Sequence, residues 1–159
     1  MIKIDKEIID LKDGKFKMTV SIIILRGSEI LLQLRNNTGY MDGFYDLGVS
    51  GHVNSNEELK NAAVREASEE LGLKILPQEL TYITLIQNVK DNYVYIYFLY
   101  KISDNKRAEI KNNEPNQIKE LLWARLNNLP DNLLPHNRIA LKNYKRHLGY
   151  DAVCDEEDS

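Results

Sequence analysis

Between two stretches rich in β-branched and aromatic residues lies GHVNSNEELKNAAVREASEELGL, residues 51–73. Ser55 and Glu58 have capping-box spacing, and Gly72 stands where a left-handed C-cap closes a helix, so the spacing predicts a helix from about Asn56 to Leu71. At 100° per residue, Ala63, Val64, Ala67 and Leu71 share an arc of about 100° that must pack on a sheet. Glu66, Glu69 and Glu70 fall in the adjacent arc with Leu59 and Ala62. Like charges three and four apart repel, and folding alone does not ask for them. Either this is a solvated face or something strongly positive belongs between the carboxylates at a cleft edge. Three such carboxylates suit a hard cation such as Mg²⁺, which in turn pairs with a phosphate chain. Glu57 and Arg65 lie two turns apart on nearby bearings, so they are expected to touch.

The flanking segments read mainly as strands. MTVSIIIL (18–25) and EILLQLR (29–35) form a hairpin across RGS, and NNTGYMDGF (36–44) is a turn-rich loop. Two further strands are expected at Leu80–Val89 and Tyr93–Ile102, then a polar loop, DNKRAEIKNNEPNQ, long enough to suggest a role of its own. Lys119–Arg125 reads as a last strand and Asn137–His147 as a last helix, with an acidic, disordered tail at 151–159 after a single domain at 1–150. Strands with one helix after three of them and another near the end suggest a mixed sheet between helices.

Composition narrows the partners. With 159 residues, 43% of them hydrophobic, the chain can bury a core without staples, and a net charge of −3 argues against nucleic acid polymers and anionic membranes. The N-terminal MIKIDKEIID carries no apolar signal region, and no apolar run reaches the ~18 residues of a membrane span. A cytoplasmic protein is the expectation. Cys154, the only cysteine, sits in the acidic tail, a poor place for a catalytic thiol.

Gly51, Glu57, Arg65, Glu66, Glu69, Glu70 and Gly72 fill every fixed position of the pattern G-x5-E-x7-R-E-U-x-E-E-x-G-U, in which U is bulky and apolar. By these residues the chain resembles the Nudix (MutT-like) hydrolases, specifically in this box and more loosely over about residues 18 to 145. Ala67 is small for its U position, and Ser50 stands where many members have a second Gly. The resemblance implies an α+β fold, a Nudix-type α/β/α sandwich around a mixed β-sheet. It also implies an enzyme that cleaves a nucleoside diphosphate linked to a group X with water activated by Mg²⁺, or Mn²⁺ in its place.

Carried over residue by residue, Glu66, Glu69 and Glu70 would hold metal with the Gly51 carbonyl. Glu66 would be the general base, and Glu114, in the polar loop, would complete the metal shell or be the base instead. Arg65 would orient a glutamate and pair with Glu57. For the substrate, Tyr40, Phe44, Tyr45, Tyr95, Tyr97 and Trp123 are stacking candidates, although each such aromatic is more often plain core. Asn132 and Asn137 are base-reading candidates that also read as turn residues. His52 reads as structural or as a phosphate neighbour; His136 and His147 carry no signal. The expected reaction is (d)NTP, including oxidised purine nucleotides, to NMP and pyrophosphate by a monomer or homodimer. ADP-ribose, nucleotide-sugar and dinucleoside polyphosphate hydrolysis are the alternatives, and a catalytically silent nucleotide sensor is the alternative of another class. A related isomerase of isopentenyl diphosphate would need a core cysteine, which Cys154 does not supply.

Overall fold

The computed structural model describes residues 14–154. Its strands are β1 (Lys17–Arg26), β2 (Glu29–Arg35), β3 (Tyr45–Leu47), β4 (Val49–His52), β5 (Thr81–Asn88), β6 (Tyr93–Lys101), β7 (Ile118–Arg125) and β8 (Tyr150–Val153). Its helices are α1 (Leu59–Leu71), α2 (Asp104–Arg107) and α3 (Pro135–Arg146), with a 3₁₀ turn at Pro77–Glu79. The strands form one mixed sheet in the order β3-β2-β1-β6-β5-β8, to which β4 is added on β1 and β7 on β2. β1 runs parallel to β6 and β5 parallel to β8, while the remaining pairs are antiparallel.

Alternation along the central strands explains why helices cover both faces. From β1, Val20, Ile22 and Ile24 enter a core under α1 with Ala62, Ala63, Ala67 and Leu71. Ile23 and Leu25 enter a second core under α3 with Ala140 and Leu141. β6 divides likewise: Ile96, Phe98 and Tyr100 face α1, whereas Tyr97 and Leu99 face α3. The small alanines of α1 let that helix lie close to the sheet, and this brings its carboxylates to the sheet's edge. The architecture is the expected sandwich, with eight strands and three helices among the described residues.

Four boundaries differ from the sequence reading. α1 starts at Leu59, because Glu58, not Ser55, is its cap and accepts from the Asn61 N–H at 3.1 Å. Asn56 sits at φ 61° in a turn that the helix cannot include. The polar loop carries the short helix α2, capped by Ser103. α3 begins two residues early because Pro135 is well suited to a first turn, and it ends on left-handed His147 at φ 55°. The tail expected from Asp151 begins later. Tyr150–Val153 pairs with β5, whose outer edge would otherwise leave its backbone groups unpaired. Residues 155–159, and the N-terminal segment read for a signal, lie outside the described residues.

Candidate functional site

A cleft of about 910 Å³ opens where α1, the 36–44 loop, the 112–118 loop and the start of α3 meet the sheet. One wall is carboxylate. Arg65 organises it: Nε and Nη2 donate to Glu57 at 2.7 and 3.0 Å, Nη1 to Glu66 at 2.8 Å and to Glu69 at 3.1 Å, and Nη2 also to the His52 carbonyl at 3.0 Å. The hydrogen bonds from Arg65, with one from the Asn54 N–H, hold the Glu57 carboxyl down to about 2, so Glu57 is an anion that pins the loop before the helix. Glu66 lies half-buried against the Gly51 backbone; a Cβ added at Gly51 would run into its carboxylate. Burial raises the Glu66 carboxyl, against the pull of Arg65. Glu70 is buried and raised further by desolvation, and it accepts from the Ser50 N–H at 3.1 Å. Ser50 thus acts through a backbone N–H that any residue but proline supplies.

Glu114 reaches this wall through the backbone. The Lys111 and Asn113 N–H groups donate to the Leu71 and Glu70 carbonyls, each at 2.9 Å, and this lays the 111–114 segment along the end of α1. Glu114 then lines the cleft with Gly51, Glu66 and Glu70, and its charge acts on both of these glutamates. Glu69 stands at the rim, half exposed, and does not line the cleft. Among the described residues, no three carboxylate, imidazole or thiol side chains already surround one point as a metal would require. The donor set nevertheless fits a hard divalent cation in kind: carboxylate oxygens beside a backbone carbonyl, in a cradle that a side chain at position 51 would fill.

The opposite wall is aromatic. Tyr93 and Tyr95 follow each other on one face of β6 with rings 5.6 Å apart and 9° from parallel. His136, from the first turn of α3, stacks on Tyr95 at 4.1 Å and 5°. Burial pushes the Tyr95 phenol up to about 12 and the His136 imidazole down, so both are neutral near pH 7. Tyr40 stands exposed at the rim, on a loop folded about Asp42, which accepts from the Thr38 hydroxyl at 2.6 Å and the Gly39 N–H at 3.1 Å. Arg35 braces that loop, donating to the Tyr40 carbonyl, Thr38 and Asp46.

Several residues expected at the substrate lie elsewhere. Asn137 is fully buried: it donates to Asp46 at 2.6 Å and accepts from the Tyr97 hydroxyl at 3.1 Å, so its amide has no edge left for a base. Asn132 donates to the Gly43 carbonyl at 2.8 Å and does not line the cleft. Phe44 is half-buried away from the cleft, Tyr97 is core, Tyr45 bonds Glu120, and Trp123 lies beneath the Arg107 guanidinium. His52 does line the cleft, with its carbonyl on Arg65. Sequence reasoning passed over His136, Tyr93 and Asp46. The signal available for His136 was its place next to Asn137 at the start of a helix, and it became readable only once Asn137 was seen to turn inward.

Residues 15–146 match the family model described as the NUDIX domain. Among solved structures, the fold is similar to a MutT NUDIX hydrolase from Burkholderia pseudomallei, with a TM-score of 0.71 at 26% identity over 81% of this chain and 98% of that one. It is also similar to a NUDIX hydrolase from Nitrosomonas europaea, with a TM-score of 0.70 at 20% identity over 90% and 81% of the two chains. A MutT protein from Methanosarcina mazei Go1 superposes with a TM-score of 0.65 at 20% identity over 84% and 96%. No helix among the described residues is long and apolar enough to cross a membrane.

Proposed function

The chain belongs to the Nudix family, hydrolases of nucleoside diphosphates linked to a further group, and from that premise we propose that it converts a (d)NTP to the nucleoside monophosphate and pyrophosphate with Mg²⁺. The observation that carries the reading is the closure of Gly51 on the Glu66 carboxylate, with Glu70 and Glu114 lining the same cleft. A solvated charged face would scatter these groups; here they face a volume that admits a nucleotide.

Within this reading Glu66, Glu70, Glu114 and the Gly51 carbonyl would hold a divalent cation, with Glu69 beside them at the rim. The cation, when bound, lowers the pKa of its water and offsets charge on the phosphoryl oxygens. Glu66 takes the proton of the attacking water, and Glu114 is the alternative base. Arg65 keeps Glu66 turned into the cleft through its hydrogen bond, and Glu57 keeps Arg65 in place. The aromatic wall excludes water from the nucleoside side and orients it.

The test is a pyrophosphate- and phosphate-release screen of purified protein over dNTPs, NTPs, 8-oxo-dGTP, ADP-ribose, nucleotide sugars and dinucleoside polyphosphates, with Mg²⁺ and with chelator. Pyrophosphate from triphosphates, lost on chelation and in Glu69→Gln, is the expected result. Turnover confined to ADP-ribose, sugars or dinucleotides would replace the triphosphate assignment. Binding without turnover would make the chain a sensor.

A further inference from the structure

The aromatic wall ends on a ring that lines the cleft. Tyr95 has Tyr93 on one side and His136 on the other. The Lys17 ammonium lies 5.7 Å from the centre of the Tyr93 ring, and the His52 ring is tilted against it at 6.3 Å. His136 has Tyr95 on one side, and among the described residues no second ring lies against it. The ring is also fixed in direction. The next residue, Asn137, is locked inward by Asp46 and Tyr97, and on a helix the preceding side chain then points roughly 100° away. That direction is toward the cleft, which His136 lines together with Tyr40, the latter close enough to Tyr93 and Tyr95 for their phenols to influence one another.

We propose that the His136 ring, backed by Tyr95 and lining the cleft, is the platform on which the nucleobase stacks. The inference rests on the nucleotide reading above and names the residue that meets the base. The role falls to a stacking histidine instead of the amide at position 137. Stacking tolerates any base, because every base has a π-face. Burial keeps the imidazole uncharged, so the platform is flat and neutral, and it is braced from behind at 4.1 Å.

The experiment measures binding, so it does not depend on turnover. Wild type, His136→Leu and His136→Phe are titrated with AMP, GMP, CMP and UMP in Mg²⁺, and with ribose 5-phosphate as the base-free control. The wild type is expected to bind the nucleotides more tightly than the control. His136→Leu should weaken nucleotide binding roughly tenfold, His136→Phe should restore it, and ribose 5-phosphate affinity should not change. In the wild-type complex, NMR should show contacts between base protons and the His136 ring. Equal nucleotide affinity in wild type and His136→Leu, no preference over ribose 5-phosphate, or base contacts confined to other rings would each overturn the platform. Failure of the release screen with these contacts present would sink the hydrolase reading and leave the platform standing.

Discussion

The two walls of the cleft are built by opposite means. The carboxylate wall comes almost entirely from one continuous stretch, Gly51 to Glu70, in which a helix sets the spacing and one arginine holds three glutamates. The aromatic wall is assembled from the 36–44 loop, β6 and the first turn of α3, and a buried amide bridge aims its outermost ring. The first wall is acidic and held by the ion pairs of Arg65 and by backbone N–H groups; the second is neutral and held by packing. A wall written in consecutive residues tolerates little change at any of them. A wall gathered from distant segments depends on what lies beneath it.

Changes in the carboxylate wall should therefore act on rate and leave stability largely intact. Glu66→Gln, measured as pyrophosphate release under saturating substrate, should lose roughly a thousandfold in kcat with little change in melting temperature. A variant within tenfold of wild type would hand the base role to Glu114. Gly51→Ala should follow, at roughly a hundredfold, because its Cβ displaces the Glu66 carboxylate. Doubling that variant with Glu66→Gln should add little if the glycine acts through Glu66.

Changes beneath the aromatic wall should show the reverse order. Asn137→Leu strands the Tyr97 hydroxyl and removes a donor from buried Asp46, so it should cost about 2 kcal/mol and lower the melting temperature by roughly 5 °C. If the bridge also aims His136, nucleotide affinity falls with it. Back in the carboxylate wall, the smallest effect is expected from Glu57→Gln, and it is a small one on stability. The Glu57 carboxyl is held below its ordinary 4.5 by Arg65, so its stabilisation is present above pH 4.5 and is lost as pH falls through about 2. The stability gap between wild type and variant should therefore close between those pH values, as followed by thermal melts, and a gap that persists at pH 2 would mean that Glu57 acts by packing.

The same division explains what could be read from sequence alone. Helix α1, its Gly72 cap and the bearing of its glutamates follow from a period of 3.6, and β1, β2, β5 and β6 follow from alternation and β-branching. Both kinds of pattern are local. Asn137, not His136, was read as reaching the substrate, since which neighbour turns inward is decided by Asp46 and Tyr97, far away along the chain. The start of α1 was misplaced for a similar reason: the salt bridge from Arg65 keeps Glu57 in the loop and leaves Glu58 to cap. β8 was missed because its four residues become a strand only when the β5 edge is there to receive them.

The parallel pairing of β1 with β6 carries a cost in time. In that register Lys17 lies opposite Tyr93 and Leu25 opposite Lys101, so the middle of the sheet cannot zip up from any hairpin. A closure of that span has to be made against chain entropy before its contacts reward it, which slows folding. On the ribosome, β1 emerges with Ile22, Ile23 and Ile24 and waits for β6 to be synthesised. Through that interval a strand whose Ile22, Ile23 and Ile24 are all fully buried in the fold has no neighbour on one edge, and newly made chains are then most exposed to aggregation and most in need of chaperones.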